Sequence, residues 1–283
     1  MASSKSKVST QFLLPGKWLS GGIAWAYLSA LVIVPLAVLG LAFVQISPAE
    51  MVDTLQSPRV LVAFKLTVLI SVIAALVNLV FGLIIAWVLV RYEFWGKSVV
   101  NLIIDLPFAL PTSVAGIALT AAFSPNAFLG ETLANWGIKV AYHPLGIGIA
   151  LVFVGIPFVV RYVSPVLEEF DNEMEQAAHL LGAKSFQIIT KIIFPTIFPA
   201  AMAGFTAAFA RGLGEYGSII FISGNLPMKT EVVSTVIVTK LEQFDYNGAV
   251  VIAVAMLLIS FAVFGASSAL QFWHLKRIGS DNG

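Results

Sequence analysis

The sequence predicts an all-α membrane protein built as a bundle of six transmembrane helices. Of its 283 residues, 59% are hydrophobic and only 11% are charged, against roughly 25% charged residues in an average soluble domain. Six apolar runs each reach the length of about 20 residues that a helix needs to cross a bilayer. These runs are continuous rather than alternating, which favours helices over a membrane β-barrel.

The first apolar run follows a polar segment, is too long for the core of a signal peptide and lacks an Ala-x-Ala cleavage site. It is therefore predicted to be a retained span. The six predicted spans are Ile23–Ile46, Leu61–Val90, Val99–Phe123, Leu145–Val166, Ile192–Ser223 and Ala249–Phe272.

Lysine and arginine are unevenly distributed between the two ends of these spans. The richer end carries Lys5, Lys7, Lys17, Arg91, Lys97, Lys184, Lys191, Lys276 and Arg277, and the poorer end carries Arg59, Lys139, Lys229 and Lys240. Because basic residues concentrate in cytoplasmic loops, both termini are predicted to be cytoplasmic. The resulting organisation is a cytoplasmic segment over 1–22, a six-helix transmembrane domain over 23–273 with a cytoplasmic loop over 168–191, and a cytoplasmic tail over 274–283.

Residues that carry enzyme chemistry are sparse. The chain has no cysteine, its three histidines are scattered, and no Gly-x4-Gly-Lys-Ser/Thr phosphate-binding loop occurs. The sequence therefore predicts no catalytic residues, no metal site and no ATP hydrolysis by this chain. A net charge of +1 gives no broad basic surface for nucleic acid.

Prolines and small residues occur at several positions within the spans. Proline removes a backbone donor, so interruptions are predicted at Pro107 and Pro111 in the third span and at Pro157 in the fourth, with Pro195 and Pro199 opening the fifth. Small residues allow close helix approach and are predicted to do so at Ala200, Ala203, Gly204, Ala207 and Ala208.

The one long cytoplasmic connection, between the fourth and fifth spans, has the pattern of a short amphipathic helix. Asn172 is placed to cap its start with Glu175 in capping-box register, and Gly182 is a natural stop. Met174, Ala177, Ala178 and Leu181 form one small apolar stripe. A stripe of this kind suits docking into a protein groove, and packing against the protein's own bundle is the alternative.

A second distinctive stretch lies near the end of the fifth predicted span. Arg211 and Glu215 are four residues apart and are predicted to pair on one helical face, and nearby glycines would let the helix break. Arg211 either attracts an anion or is neutralised by Glu215. Asp105 and Arg161 are further charges at membrane depth, each expected to cap a broken helix or to pair across the bundle.

The run Gln176-Ala177-Ala178-x3-Gly182-x9-Ile192-x-Phe194-Pro195 resembles the EAA loop of ATP-binding-cassette importer permeases, E-A-A-x3-G-x9-I-x-L-P. Gln176 stands where the family has Glu, and Phe194 where it has Leu. The resemblance implies the type I importer permease fold. It also assigns contact with a cytoplasmic ATPase subunit to Glu175, Gln176, Ala177, Ala178, Gly182 and Pro195.

The stretch Gly214-Glu215-Tyr216-Gly217-Ser218, followed by Phe221-Ile222-Ser223-Gly224-Asn225, is similar to the fifth span of sulfate/thiosulfate and molybdate permeases, and most similar to the T-subunit branch of the sulfate permeases. The resemblance places Arg211, Gly212, Gly214, Glu215, Tyr216 and Gly217 in a translocation path or gate.

The same resemblance implies a multi-pass protein of a prokaryotic cytoplasmic membrane that imports sulfate, with thiosulfate or molybdate left open as cargo. Its implied partners are a second homologous permease, two ATPase subunits that hold ATP and Mg²⁺, an external sulfate-binding protein and membrane lipid. The alternative is a secondary transporter driven by an ion gradient, although such proteins often show inverted repeats and none is visible here.

Overall fold

The computed structural model describes residues 17–170 and 172–280, with side chains over 18–170 and 173–269. These residues form helices and no strand, so the all-α prediction is confirmed. The helices are α1 (Lys17–Leu28), α2 (Val34–Val44), α3 (Pro48–Gln56), α4 (Pro58–Arg91), α5 (Lys97–Ala109), α6 (Thr112–Phe123), α7 (Phe128–Asn135), α8 (Pro144–Glu168), α9 (Asn172–Leu180), α10 (Ser185–Ile188), α11 (Phe194–Leu213), α12 (Ile219–Ile222), α13 (Val233–Glu242) and α14 (Tyr246–Ser280).

Among the described residues, five helical stretches are long and apolar enough to cross a membrane, and a sixth span results if α5 and α6 count as one bent span. Counted in that way, the number of spans equals the predicted six, although most of their ends are shifted. Of the lysines and arginines that predicted the orientation, Lys5 and Lys7 lie outside the described residues, as do the side chains of Lys17, Lys276 and Arg277.

The described residues up to Ser47 form one compact unit, and those from Pro48 onward form another. In the first unit, α1 and α2 are joined by a π-helical turn over Ser29–Ile33 to give the continuous span Trp18–Val44. The N–H of Val34 donates to the carbonyl of Ser29, one residue further back than in an α-helix. Pro35 explains this wider turn, because a proline ring collides with the carbonyl four residues earlier and cannot donate to it.

In the second unit, α8 is the central helix and packs against both α4 and α11. Val159 of α8 is fully buried between two glycines. A Cβ added to Gly82 of α4 would lie 2.7 Å from the Val159 Cβ, and one added to Gly204 of α11 would lie 2.7 Å from its Cα. The prediction that Gly204 permits close helix approach is confirmed.

The third predicted span is broken into α5 and α6, whose axes differ by 114°. The break falls at Leu110 and Pro111, which have extended backbone conformations. A residue that precedes proline is pushed away from helical geometry, so Pro111 ends α5 at Ala109. Pro107 lies inside α5 without ending it, and the predicted interruption there is wrong.

Prolines in the other spans do not interrupt them. Pro157 lies inside the continuous helix α8, and Pro199 lies inside α11. The predicted interruption at Pro157 is therefore wrong, because neighbouring groups in a membrane bundle can compensate for one lost helical hydrogen bond. The fifth span begins at Ser185, so Pro195 does not open it but follows a second π-helical turn over Ile189–Ile193.

The last helix begins at a well-defined cap. Asp245 precedes α14, and its Oδ1 accepts a hydrogen bond of 2.9 Å from the N–H of Gly248. Its Oδ2 lies 2.6 Å from the ammonium of Lys240. Hydrogen bonding from Lys240, followed by that from Gly248, lowers the pKa of Asp245, so the cap keeps its charge at neutral pH.

Candidate functional site

The predicted cytoplasmic helix is present as α9, over Asn172–Leu180. Gly182, the predicted stop, follows two residues after the end of α9 and has φ +84°. The N–H of Ala183 donates to the Ala178 carbonyl at 3.0 Å, and the N–H of Gly182 to the His179 carbonyl at 2.9 Å. This is a Schellman ending, which requires a left-handed residue at Gly182. The side chain of Asn172, predicted as the start cap, lies outside the described side chains.

The outward face of α9 differs from the predicted apolar stripe. Ala178 is half-buried and packs against the core between α4 and α8. Gln176 and Ala177 are exposed, and Leu180 is 89% exposed. The stripe is therefore divided, with Ala178 against the protein's own bundle and Ala177 exposed. Packing against the bundle holds for Ala178, and docking into a partner's groove stays a prediction for the exposed residues.

The remaining residues of the motif are separated from this surface. Glu175 is half-buried and forms an ion pair with Arg91 at the end of α4. Pro195 lies thirteen residues beyond Gly182, half-buried in the second position of α11. The structure therefore leaves Gln176, Ala177 and Gly182 as the exposed members of the set assigned to the ATPase.

The second candidate region is the turn that follows α11. The predicted pair between Arg211 and Glu215 is confirmed, but α11 ends at Leu213, so the two residues do not share one helical face. Glu215 is 1% exposed and Arg211 is 35% exposed. The Oε1 of Glu215 also accepts hydrogen bonds of 2.9 Å from the N–H and the hydroxyl of Ser218.

This turn is held by contacts from two other helices. The hydroxyl of Ser234, in α13, donates to the Glu215 carbonyl at 2.7 Å. A Cβ added to Gly217 would lie 2.2 Å from the Oγ1 of Thr112, at the start of α6. One added to Gly116 would lie 2.5 Å from the Ser218 carbonyl oxygen. The two glycines therefore allow the turn to lie directly on α6.

The predicted path residues have different environments. Gly212 is buried, and a Cβ there would lie 3.3 Å from the Oγ of Ser71 in α4. Gly214 is exposed, and Tyr216 is half-buried. Gly217 is half-buried as well. The two buried members, Gly212 and Glu215, are therefore shielded, and Arg211, Gly214, Tyr216 and Gly217 are the members that a solute can reach.

Asp105 and Arg161 pair with each other across α5 and α8, as one of the two predicted alternatives required. The Arg161 Nε lies 2.8 Å from Asp105 Oδ1, and its Nη2 lies 2.6 Å from Oδ2. Nη2 also lies 3.3 Å from the side-chain oxygen of Asn101. The Arg161 side chain is 38% exposed and that of Asp105 is 45% exposed, within apolar helices. Charges at such depth normally face protein or water rather than lipid.

Sequence reasoning missed the ion pair between Arg59 and Glu231. Arg59, at the start of α4, donates from Nε at 2.7 Å and from Nη2 at 2.5 Å to the two oxygens of Glu231, which is buried just before α13. No local pattern could reveal a pair separated by 172 residues.

Arg59→Met is expected to lower the stability of the protein by about 3 kcal/mol, the lower part of the range for breaking a buried pair, because Arg59 itself is 31% exposed. Thermal unfolding in detergent measures the effect. Lys97→Met is the matched control, since its partner Glu93 is exposed, and a surface pair contributes about 0–1 kcal/mol. Equal melting temperatures for the two variants would contradict the prediction.

Among the described residues, no three or more His, Cys, Asp and Glu side chains come together as a metal site. The candidate functional regions described above are the exposed surface of α9 and the turn at the end of α11.

Residues 78–278 match the family of binding-protein-dependent transport system inner membrane components. The chain is 44% identical over 271 residues to the sulfate transport system permease protein CysT of Escherichia coli, covering 96% of this chain and 98% of the relative. It is 42% identical over 260 residues to a probable sulfate transport system permease protein cysT of Nephroselmis olivacea, covering 90% and 92%.

Solved structures share the fold at low identity. A bacterial ABC transporter that imports alginate aligns with a TM-score of 0.74 at 16% identity, over 90% of this chain and 95% of the other. The MetNI methionine ABC transporter, in inward-facing conformations, aligns with a TM-score of 0.57 at 16% identity, over 81% and 99%. The chain therefore belongs to the family of binding-protein-dependent transport system inner membrane components.

Proposed function

We propose that this chain is the sulfate-translocating permease subunit of an ATP-driven importer. The observation that carries the proposal is 44% identity to a sulfate transport permease over 96% of the chain. Identity of this extent covers the spans, α9 and the turn after α11 together, rather than one motif. Thiosulfate and molybdate stay as alternative cargo, because a soluble binding protein can set much of the choice among such anions.

The proposed assembly contains a second homologous permease, two cytoplasmic ATPase subunits and an external sulfate-binding protein. The sequence itself has no phosphate-binding loop, so ATP and Mg²⁺ belong to the ATPase subunits. The outward face of α9 supports the proposed contact, because Ala177 and Leu180 offer a small and an apolar side chain to a partner. In the proposed assembly, α9 and both termini are cytoplasmic.

The chain offers a direct mechanical route from the ATPase to the spans. After α9, only Leu181–Lys184 separate it from α10, which continues through the second π-helical turn into α11. At its far end α11 carries Arg211 and leads directly into the turn that contains Glu215. Movement of α9 would therefore reach that turn along one helix, and opening of the turn to one side or the other would give alternating access.

The fixed cation of Arg211 supports an anionic cargo. Its guanidinium presents several donors and is half-exposed, whereas its partner Glu215 is buried and also bonded to Ser218. Two roles follow: Arg211 binds the oxyanion, or it only compensates the charge of Glu215.

Reconstitution in proteoliposomes tests the proposal. The permease pair, the ATPase subunits and the binding protein are combined, and ATP hydrolysis is measured with sulfate, thiosulfate, molybdate and tungstate. We expect sulfate to stimulate hydrolysis at least fivefold and to accumulate in the lumen, with no uptake when the ATPase is omitted. Uptake driven by an ion gradient without the ATPase would contradict the proposal and favour a secondary transporter, and stimulation by molybdate alone would reassign the cargo.

A further inference from the structure

Arg91, the last residue of α4, joins three parts of the chain. Its guanidinium forms an ion pair with the carboxylate of Glu175, in α9. Its Cζ lies 5.1 Å from the ring centroid of Trp87, one turn earlier in α4, and 5.8 Å from that of Phe170, which is buried in the connection between α8 and α9. One cation therefore links the end of α4, the end of α8 and the inner face of α9.

This environment holds the guanidinium in one orientation. Arg91 and Glu175 are both mostly buried, so their attraction is less screened than that of a surface pair. Aromatic faces within about 6 Å attract a cation, and the planar guanidinium can stack and donate hydrogen bonds at once, which a lysine ammonium cannot. The contacts therefore form a defined joint rather than a loose surface pair.

The joint changes the inner face of α9. A carboxylate would normally be excluded from the side of a helix that packs against its own protein, yet Glu175 lies there beside the half-buried Ala178. Arg91 compensates that charge. The neighbouring Gln176, in contrast, is exposed on the other side of the helix.

The joint also gives α9 a second connection to the spans. Along the chain, α9 leads to α11, but through Arg91 it is attached to α4, a helix of 34 residues that packs along α8 and α11. A push on α9 that moved only α11 would have to break the ion pair. With the pair intact, α4 and α11 must move together.

We propose that Arg91 is a positioning residue that ties α9 to α4 through Glu175, so that Glu175 serves this internal joint and the ATPase contact falls to the exposed Gln176 and Ala177. The proposal rests on the proposed function only for the partner that moves α9. The joint itself belongs to this chain and can be measured without transport.

The first test measures the joint directly. The chain has no cysteine, so Tyr92→Cys and His179→Cys, both at exposed positions, place two spin labels at the end of α4 and on α9. In nanodiscs we expect one narrow distance distribution, which Arg91→Gln broadens at least twofold and Lys97→Gln leaves unchanged. An unchanged distribution in Arg91→Gln would overturn the proposal even if transport proved to have another substrate.

The second test uses the reconstituted importer. The measured quantity is the stimulation ratio, which is the rate of ATP hydrolysis with the sulfate-loaded binding protein divided by the basal rate. Arg91→Gln and Glu175→Gln are each expected to retain the ATPase subunits on purification. We expect each variant to lower the stimulation ratio at least tenfold. Arg91→Lys should recover part of the ratio, and the exchanged pair Arg91→Glu with Glu175→Arg should recover more than either single exchange.

Two outcomes would overturn the proposal in this second test. If Glu175→Gln releases the ATPase while Arg91→Gln retains it, the functional contact of Glu175 is with the ATPase and not with Arg91. If Arg91→Gln keeps the normal stimulation of ATP hydrolysis, the joint does not couple the ATPase to the spans. Absence of sulfate stimulation in the unaltered importer would instead refute the proposed cargo, and the distance measurement would still decide the joint.

Discussion

Arg211→Met is expected to abolish uptake, with a loss of at least a hundredfold. The substitution removes the cation beside Glu215, whose side chain is 1% exposed. An uncompensated buried charge is destabilising by about 3–5 kcal/mol, and hydrogen bonds from Ser218 to one carboxylate oxygen cannot replace the lost charge. The turn after α11 would therefore rearrange whether or not Arg211 also contacts the cargo.

The double variant Arg211→Met with Glu215→Gln separates the two roles. Glutamine keeps the shape of Glu215 and its acceptor oxygen but needs no cation. If Arg211 only compensates Glu215, the double variant should regain at least a third of the normal uptake rate. If Arg211 binds the anion, the double variant should fold and assemble but stay inactive.

Two further variants complete this series. Glu215→Gln alone leaves Arg211 without its carboxylate, so an anion-binding role predicts a lower KM for uptake, and a purely compensating role predicts a loss of stability. Arg211→Lys keeps the charge but not the planar fork. Initial rates of labelled sulfate uptake, with melting temperatures measured in parallel, decide between the roles. Normal uptake by Arg211→Met would contradict both.

The spans were predictable because their signal is local. Length and hydropathy of each apolar run identify a membrane helix without knowledge of its neighbours. The breaks were less predictable, because a proline ends a helix only where its surroundings fail to compensate. Pro111 breaks the third span, whereas Pro157 is buried in α8 and leaves that helix continuous.

The early end of the fifth span has a related cause. Apolar residues continue to Ser223, so hydropathy extends the span, yet α11 stops at Leu213. The turn is stabilised instead by the hydroxyl of Ser234 on the Glu215 carbonyl and by the close approach of Gly217 to Thr112. These tertiary contacts come from α13 and α6, and no window of sequence around residue 214 contains them.

In the candidate site too, features set by nearby residues were predictable, and features set by distant contacts were not. The end of α9 at Gly182 and the pairing of Arg211 with Glu215 follow from spacing within a few residues, and both predictions are confirmed. The inner face of α9 was not predictable from periodicity, because its contact is made by a small residue and a charged one. Two long-range ion pairs, Arg91–Glu175 and Arg59–Glu231, were not predicted. Their partners lie 84 and 172 positions apart in the sequence.

Ala177→Trp is expected to abolish uptake while leaving this chain folded and inserted. Ala177 is exposed on α9, so a larger side chain can extend into solvent when no partner is bound. In a groove that accepts a small residue, the indole would prevent close seating. A loss of only 1.4 kcal/mol in binding lowers the affinity tenfold, so we expect the amount of ATPase that co-purifies to fall at least tenfold.

A graded series makes the argument quantitative. Ala177→Ser adds one atom and should retain nearly normal assembly, Ala177→Leu should be intermediate, and tryptophan should be the most severe. Ser98→Trp is the matched control, because Ser98 is an exposed small residue at the start of α5, on the same predicted side of the membrane but outside α9. Co-purification of the ATPase and the melting temperature of the isolated permease are measured for each variant.

If Ala177→Trp assembles and transports as well as Ser98→Trp does, the outward face of α9 does not contact the ATPase. If instead its melting temperature falls with its uptake, the loss comes from misfolding of this chain rather than from a blocked contact.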